Sequence, residues 1–475
     1  MAKNNFYVTT AIMYVNSKPH LGYALEVVLG DALARYHRTL GDDTFYLTGT
    51  DEHGTKIQKT AEEAGITPQE LADKNTELTR NLVKDLGANI DGFIRTTDEK
   101  NHWPAVEKIW KKIAQNGDLE KRKYKALYCV GCEAFLQPSE LVDGKCPIHG
   151  KEPEEVEEEN WFFKLSKYQE NLKTMIKNDE IRVVPEKRKN EILAFIDRGL
   201  DDVSFSRDKE KLYWGIPVPG DSSQTMYVWC DALTNYISAI GYADESEDFK
   251  KFWPAAVHII GKDILRFHAL YWPAMLISAG LPTPKTILVH GFINSGGKKM
   301  SKSTGNVIDP TEIITKYGAD ALRYYLLRYI PTLDDGDFTP EHFESVYKAD
   351  LSNDLGNLVQ RTIAMINKYG IVPVPNKPKE VGDCQKELVD NFDFSKRLEN
   401  IWAVVKKGNQ FIDENKPWEL VKSDPKRLAE VLQEVYDSLV TIAGHLAPFM
   451  PETAEKMKKQ LETLSPEPLF PRIEE

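Results

Sequence analysis

Long apolar runs are missing from the 475 residues: no unbroken stretch approaches the roughly 18 needed to cross a bilayer, so no membrane-spanning helix is expected. The opening residues, Met1 to Thr10, hold no extended apolar segment followed by a small-residue cleavage site, so a secretory leader is not expected either, and a cytoplasmic location is the default. Cysteine is scarce. Cys129, Cys132, Cys146, Cys230 and Cys384 are too few and too unevenly placed for a disulfide framework. Positive charge is in deficit, 61 Lys and Arg against 73 Asp and Glu, and the net charge of -12 argues against indiscriminate nucleic-acid binding by the whole surface, although local patches decide such contacts. Internal repeats and low-complexity tracts are also absent. With 41% hydrophobic and 28% charged residues, the chain reads as an ordinary globular protein whose length suits about three domains.

What is present begins with a β-rich run, Phe6 to Ala11, then Leu21, Leu25, Val28, Leu29, Ala32, Leu33 and Tyr36 on one helical face, then a second strand over Thr44 to Thr50. Thr67-Pro68 opens a helix that runs to Leu86, and another helix covers about Glu99 to Gln115. This order predicts a parallel α/β sheet over residues 1–115. From 116 to 215 the pattern breaks into short segments, with an acidic run from Glu152 to Glu159 that reads as a solvated face or loop, so the stretch looks like an insertion. Strand and helix alternation resumes over 216–290, with strands at Ala256 to Ile260 and Thr286 to Val289 and a helix over Ile264 to Ser278. From about Pro340 to the end only helical periodicities remain, interrupted by the proline-rich Pro373 to Pro378, which predicts an all-helical domain over 340–475.

Three features carry chemistry. Cys129-x2-Cys132-x13-Cys146-x2-His149 supplies three thiolates and an imidazole in two knuckle-like pairs, a closed tetrahedral set for a structural Zn2+. Lying in an insertion with little else to form a core, the metal is expected to organise that region. Lys18-Pro19-His20-Leu21-Gly22-Tyr23 sits where a helix begins, and a helix N-terminus with a glycine beside it suits phosphate oxygens, with His20 as a donor. Gly297 to Asn306, with Lys298, Lys299 and Lys302 among hydroxyl residues, is a cationic loop able to offset charge on departing pyrophosphate. Each of the last two, taken alone, is an ordinary surface feature.

Taken together, His20-Leu21-Gly22 after the first strand and Lys299-Met300-Ser301-Lys302-Ser303 after the last resemble the paired signatures of class I aminoacyl-tRNA synthetases. Further segments, Tyr7 to Asn16, Thr48 to Gly54, Tyr227 to Ala232, His258 to Asp263 and Asn415 to Leu420, resemble the methionyl-tRNA synthetase family in order along nearly the whole chain. The resemblance implies a Rossmann-type parallel sheet interrupted by the zinc insertion, a signature-loop and stem-contact region over 291–339, and a helical anticodon-binding domain. It implies activation of L-methionine by ATP with Mg2+, then transfer to the 3'-terminal adenosine of a tRNA(Met) with a CAU anticodon. His20, Tyr23, Lys299 and Lys302 take the catalytic positions, and Gly22, His258 and Gly261 join them around ATP. Asp51 is the ammonium partner, while Ala11, Ile12, Tyr14, Trp229, Leu233, Tyr236, Ile264 and His268 occupy the methionine-pocket positions, where each sulfur–ring contact contributes roughly 0.3 to 1.5 kcal/mol. Asn357, Arg361, Pro417 and Trp418 occupy the anticodon positions, with phosphate contacts expected from Lys348, Lys368, Lys396, Arg397, Lys406 and Lys407.

Two departures from the family pattern stand out. Tyr23 replaces the signature's last histidine, and a phenol with a reference pKa near 10 carries no positive charge at neutral pH. Leu233 stands where a proline is common. An active enzyme is the expectation, and a weakened tRNA-binding paralogue is the alternative that Tyr23 raises. The Ile, Val and Leu enzymes carry an editing insertion longer than the roughly 100 residues here, and a small-molecule adenylyltransferase would explain neither the cysteine cluster nor the helical domain. With no extra C-terminal tRNA-binding module after the helical part, a monomer is expected.

Overall fold

The computed structural model describes residues 4–136, 138–300, 308–379 and 385–472. Its contacts divide the chain into two compact units, one of residues 1–19, 41–81 and 90–290 and one of residues 20–40, 82–89 and 291–475. Among the described residues no helix is long and apolar enough to cross a membrane.

The first unit is built on a seven-stranded parallel sheet. Its central strand, Asn5–Thr10, pairs with Asp43–Asp51 on one side (Phe6 opposite Thr44, Thr9 opposite Leu47) and with Val257–Gly261 on the other (Val8 opposite Val257, Thr10 opposite Ile259). Thr286–His290 and Arg182–Val184 continue the sheet beyond Val257–Gly261, and Gly92–Arg95 flanks Asp43–Asp51. Buried sheets covered on both faces need uninterrupted apolar or small residues, which is why Tyr46 to Asp51 and Val257 to Gly261 read as continuous runs, not alternations. Where threonines enter this interior they pair, Thr10 Oγ1 donating to Thr48 Oγ1 at 2.7 Å. The strand order reverses at Asn5–Thr10, and at such a switch point the carboxyl ends of the strands leave a crevice. Those ends are Ala11, Asp51 and Gly261.

The stretch read as an insertion is more ordered than the sequence suggested. Leu119–Cys129 and Glu154–Phe163 form a long antiparallel ladder, Leu119 opposite Phe163 through Tyr128 opposite Glu154, within a four-stranded sheet, and Arg182–Val184 joins the edge of the main sheet. The acidic run is therefore a strand and not a loop. Glu157 and Glu159 face solvent opposite Lys125 and Lys123, whereas Glu158 is buried, accepting from Arg207 Nε at 3.0 Å and Lys211 Nζ at 3.0 Å. Opposite charges facing across a ladder stabilise it, a pairing invisible in either segment alone. The helix expected over Ile264 to Ser278 is also modified. A 3-10 turn, Lys262–Ile264, leads into a π-helical turn, Phe267–Tyr271, and then a regular helix, Trp272–Ser278. Pro273 has no N–H to donate and crowds the preceding turn, so the ladder shifts to Trp272 N–H donating to the Phe267 carbonyl.

The second unit contains the Leu21–Thr39 helix and the helices after Pro310. Its centre is Arg323, fully buried, with Nη2 2.7 Å from Asp31 Oδ2 and Nε donating to the Phe449 carbonyl at 2.8 Å. Asp31 also accepts from Arg35 Nε at 2.7 Å and the Asn89 N–H at 2.8 Å. A buried ion pair holds only when its remaining donors and acceptors are satisfied, as here. Asp31→Ala strands the guanidinium, and a loss of about 3 to 5 kcal/mol is expected in urea unfolding; a change below about 1 kcal/mol would contradict the importance given to this pair.

Candidate active site and metal centre

At the carboxyl end of Asp43–Asp51 the chain places three acidic or ionisable side chains close together, each in different company. Glu52 turns into the interior and is satisfied by Arg95 Nε at 2.8 Å, Thr50 Oγ1 at 2.6 Å and Thr76 Oγ1 at 2.6 Å. His53 Nδ1 lies 2.6 Å from Asp231 Oδ2, and the other oxygen of Asp231 is 2.7 Å from His102 Nε2, whose Nδ1 meets Ser238 Oγ at 2.8 Å. Burial raises the Asp231 carboxyl, but the attraction of His53 and the hydrogen bonds of both imidazoles outweigh it and hold the group below the usual carboxylate range. Asp51 differs. It is 7% exposed, and its Oδ1 is buried with no hydrogen-bond partner among the described residues. Burial, then the like charges of Asp231, Glu133 and Glu52, push its carboxyl well above the ordinary value. An unpaired buried carboxylate oxygen among anions is a site for a cation.

The same unit holds a group of neutral rings. The Trp229 indole lies face to face with Phe267 at a centroid separation of 3.8 Å and edge-on to His268 at 6.2 Å, and its buried Nε1 has no partner. The Tyr236 hydroxyl meets His268 Nε2 at 2.7 Å while His268 Nδ1 lies 3.0 Å from the Ile264 carbonyl. A carbonyl only accepts, so Nδ1 carries the proton and Nε2 accepts from Tyr236. Burial pushes His268 down to about 4, so the ring is neutral at pH 7. The π-helical turn sets Phe267 and His268 side by side in this cage.

The expected pocket residues all lie in the first unit. Ala11 and Leu233 are buried, Ile12, Tyr14, Trp229 and Ile264 are half-buried, and Ala11 N–H is tied to the Ile259 carbonyl at 2.9 Å. Gly261 ends its strand opposite His290. His258 is fully buried, with Nδ1 2.7 Å from Thr9 Oγ1 and Nε2 accepting from Trp272 Nε1 at 3.3 Å, so both nitrogens already have protein partners. Reading the sequence missed Phe267, Asp231 and Glu133. Pro273 was the available signal for the distorted turn, but nothing local marks the other two.

In the second unit His20 caps the Leu21–Thr39 helix, its Nδ1 accepting from Gly22 N–H at 3.1 Å. That bond leaves Nε2 to carry the proton of the neutral ring, the tautomer of a donor. Tyr23 is buried on the same helix. Lys299 ends the short Lys298–Lys299 strand, and Lys302 lies outside the described residues, as does Cys384. Farther along, Asn357 and Arg361 lie on the helix Asn357–Tyr369, where Asn357 is exposed. Arg361 donates to Asp413 at 2.5 Å and lies 5.5 Å from the Trp418 ring centroid; the indole is 47% exposed above buried Pro417. Arg397 is a correction among the expected phosphate contacts. It is buried in the bundle with Nη2 2.7 Å from His445 Nδ1, whereas Lys348, Lys368, Lys396, Lys406 and Lys407 are exposed.

The metal ligands converge as their spacing predicted. Cys129, Cys132, Cys146 and His149 bring their ligand atoms within 4.8 Å of one another. The Cys132 and Cys146 sulfurs are 3.6 Å apart, and His149 Nδ1 is 3.2 Å from Cys132 Sγ and 3.9 Å from both Cys129 and Cys146 Sγ. A zinc tetrahedron implies S···S of about 3.8 Å and S···N of about 3.6 Å, so the set fits. Gly131 makes the turn possible, because a Cβ there would lie 2.7 Å from the His149 ring. Removing the ion by chelation or by Cys132→Ser is expected to abolish stoichiometric zinc and to open residues 119–163 to proteolysis; a metal-free protein with unchanged cleavage would contradict a structural role.

Comparisons with known proteins match this architecture. A family model described as class I tRNA synthetases (M) matches residues 6–152 and 131–363, and one described as the anticodon binding domain of methionyl tRNA ligase matches residues 379–471. The methionine–tRNA ligase of Caldanaerobacter subterraneus is 45% identical over 97% of this chain and 74% of its own length, and that of Brucella suis is 42% identical over 100% and 99%. The structure of Mycobacterium tuberculosis methionyl-tRNA synthetase in complex with methionyl-adenylate superposes with a TM-score of 0.90 at 37% identity, covering 99% of this chain and 100% of that one.

Proposed function

Because the chain belongs to the methionyl-tRNA synthetase family of class I aminoacyl-tRNA synthetases, it is a methionine–tRNA ligase, and we propose that the buried carboxylate, the ring cage and the two signatures divide the reaction among them. The observation that carries this reading is Asp51, a buried carboxylate whose Oδ1 has no partner among the described residues, in the same unit as the neutral ring group. The α-ammonium of methionine pairs with Asp51. The thioether lies among Trp229, Tyr236, His268 and the aliphatic contacts of Ala11, Ile12, Leu233 and Ile264, with Tyr14 on the remaining side. His268, kept neutral by burial, puts no charge against the sulfur.

With the amino acid held, its carboxylate oxygen attacks the α-phosphorus of ATP, the bond to the bridging oxygen breaks, and pyrophosphate leaves. The barrier is dominated by charge on phosphate oxygens, so donors and cations matter more than proton transfer. His20 Nε2–H donates to phosphate, and Gly22 and Tyr23 line the same helix terminus. Lys299 and Lys302 offset the charge of the departing pyrophosphate, and Mg2+ enters with the nucleotide. His258 and Gly261 support the adenosine side, His258 through the wall it forms with Tyr236 at a ring separation of 4.2 Å. The ribose hydroxyl of the 3'-terminal adenosine then attacks the aminoacyl carbonyl, releasing AMP.

Zinc in the Cys129, Cys132, Cys146 and His149 site stabilises the insertion and supplies no chemistry to the reacting atoms. Trp418 offers an exposed face on which a splayed anticodon base stacks, with Asn357 and Arg361 reading base edges of the CAU triplet and Pro417 fixing the indole. ATP–pyrophosphate exchange with the twenty amino acids supplied one at a time is expected to respond to methionine alone. Trp418→Ala is expected to leave that exchange within about twofold while lowering kcat/KM for tRNA about 5-fold to 150-fold, as loss of one stacked base at roughly 1 to 3 kcal/mol implies. Exchange with no amino acid, or equal loss in both assays, would overturn the reading.

A further inference from the structure

Glu133 follows the zinc ligand Cys132 directly in the chain, yet its side chain leaves the knuckle and enters the amino-acid site. It is buried, and its backbone has φ of 50°, a left-handed conformation that favours glycine. A non-glycine residue kept there points to a use for its side chain. Each oxygen is engaged: Oε1 accepts from the Tyr14 hydroxyl at 2.9 Å and the Lys56 N–H at 2.6 Å, Oε2 accepts from the Tyr128 hydroxyl, and the Glu133 carbonyl accepts from the Tyr227 hydroxyl. Lys56 lies in the first turn of the helix Thr55–Ala64 that follows Asp51 to Gly54, and Tyr227 precedes Val228 and Trp229, so one residue of the insertion fastens three segments bearing pocket side chains. The approach is close. Gly54 has φ of 110°, and a Cβ there would lie 2.8 Å from the Tyr14 hydroxyl and 3.1 Å from Glu133 Oε1.

We infer that Glu133 is a positioning residue for methionine, holding the Tyr14 ring as a wall of the amino-acid pocket and tying that wall to the zinc knuckle. The inference rests on the reading above that Tyr14 lines the pocket. Tyr14 is half-buried and sits beside the end of the Asp43–Asp51 strand, with Met13–Tyr14 paired to Thr50 and Asp51. Its ring packs against the apolar cluster of Val15, Ile57, Ala61, Leu71 and Ala72, with Lys56 Nζ 5.8 Å from the centroid, but the hydroxyl end is held by Glu133. Without the carboxylate, the hydroxyl loses that acceptor and the ring loses the bond that fixes its tilt. The cost is expected to fall on methionine binding and not on ATP, since the contacts of Glu133 go to Tyr14, Lys56, Tyr128 and Tyr227.

The test uses the full-length, zinc-loaded protein with Glu133→Ala, the near-isosteric Glu133→Gln, Tyr14→Phe, Tyr14→Ala and the double variant Tyr14→Phe/Glu133→Ala. Methionine and ATP KM are read from pyrophosphate exchange, methionine Kd from tryptophan fluorescence, and metal content from atomic absorption. Glu133→Ala is expected to raise methionine KM and Kd about 10-fold, with ATP KM within about twofold and zinc retained. In the Tyr14→Phe background the same substitution is expected to add less than about twofold, since partners in one contact are not additive. Glu133→Gln is expected to recover part of the loss and covers the case in which alanine prevents folding. Parent-like methionine KM in both Glu133 variants, an undiminished effect in the Tyr14→Phe background, or zinc loss whose reversal restores KM would each overturn the inference. Tyr14→Ala with parent-like methionine KM would overturn the placement of Tyr14 in the pocket itself, which separates that failure from failure of Glu133 alone.

Discussion

Burying a carboxylate without its full complement of partners is costly, and the neighbourhood of Asp51 is organised around that cost. The side chain stands at the end of a strand whose inner residues are fully covered, within reach of the charges of Asp231, Glu133 and Glu52. Each of these neighbours is quenched by the protein: Asp231 by His53 and His102, Glu133 by Tyr14, Tyr128 and the Lys56 N–H, and Glu52 by Arg95 and its threonines. Asp51 Oδ1 is left over. In a region of low dielectric an unquenched carboxylate attracts an ammonium more strongly than it would in water, and it rejects anions and neutral groups that cannot donate to it.

The walls complement this choice. A thioether offers no strong acceptor and forms no ion pair, so its recognition depends on shape and on polarisable contact with rings. Trp229 stacked on Phe267 and the Tyr236–His268 pair provide flat, neutral surfaces, and the hydrogen bond from His268 to the Ile264 carbonyl fixes which imidazole nitrogen accepts from tyrosine. The distorted turn forced by Pro273 brings two of those rings into one place. Recognition here follows from what has been left unpaired and what has been kept uncharged. The phosphate chemistry, by contrast, is assigned to a helix terminus and a lysine loop, and at the helix terminus the bond from Gly22 N–H to His20 Nδ1 specifies the donor atom.

Much of this was legible in the residues. The parallel sheet announced itself in the order of β-rich runs separated by helical periodicity, the metal centre in four soft ligands at knuckle spacing, and the C-terminal helices in helical periodicities interrupted by Pro373 to Pro378, although the π-helical stretch Tyr347–Gly356 among them was not foreseen. The Thr67-Pro68 start was also readable: Thr67 and Glu70 close a capping box, Glu70 N–H donating to Thr67 Oγ1 at 3.2 Å and Thr67 N–H to Glu70 Oε2 at 2.8 Å. The acidic run, read as a solvated face or loop, is a strand with a solvated face of exposed glutamates; its strand character and buried Glu158 escaped because its lysine-rich partner lies 36 residues earlier (Lys123 opposite Glu159), and cross-strand pairing leaves no mark at local spacing. Asp231, Glu133 and Phe267 escaped for the same reason, since their importance lies in contacts across the fold. Arg397 looked like a surface cation because arginine usually is one, and only the packing of the bundle shows it buried against His445.

The central claim is that methionine enters as the cation that an otherwise protonation-prone Asp51 lacks. If so, binding the ammonium restores the ionised carboxylate and expels a proton. Isothermal titration calorimetry of methionine binding, run between about pH 5 and 8 in buffers of different ionisation enthalpy, measures that proton directly. Release of up to one proton, abolished in Asp51→Asn, is the predicted result. A binding enthalpy independent of buffer across the whole range would contradict it.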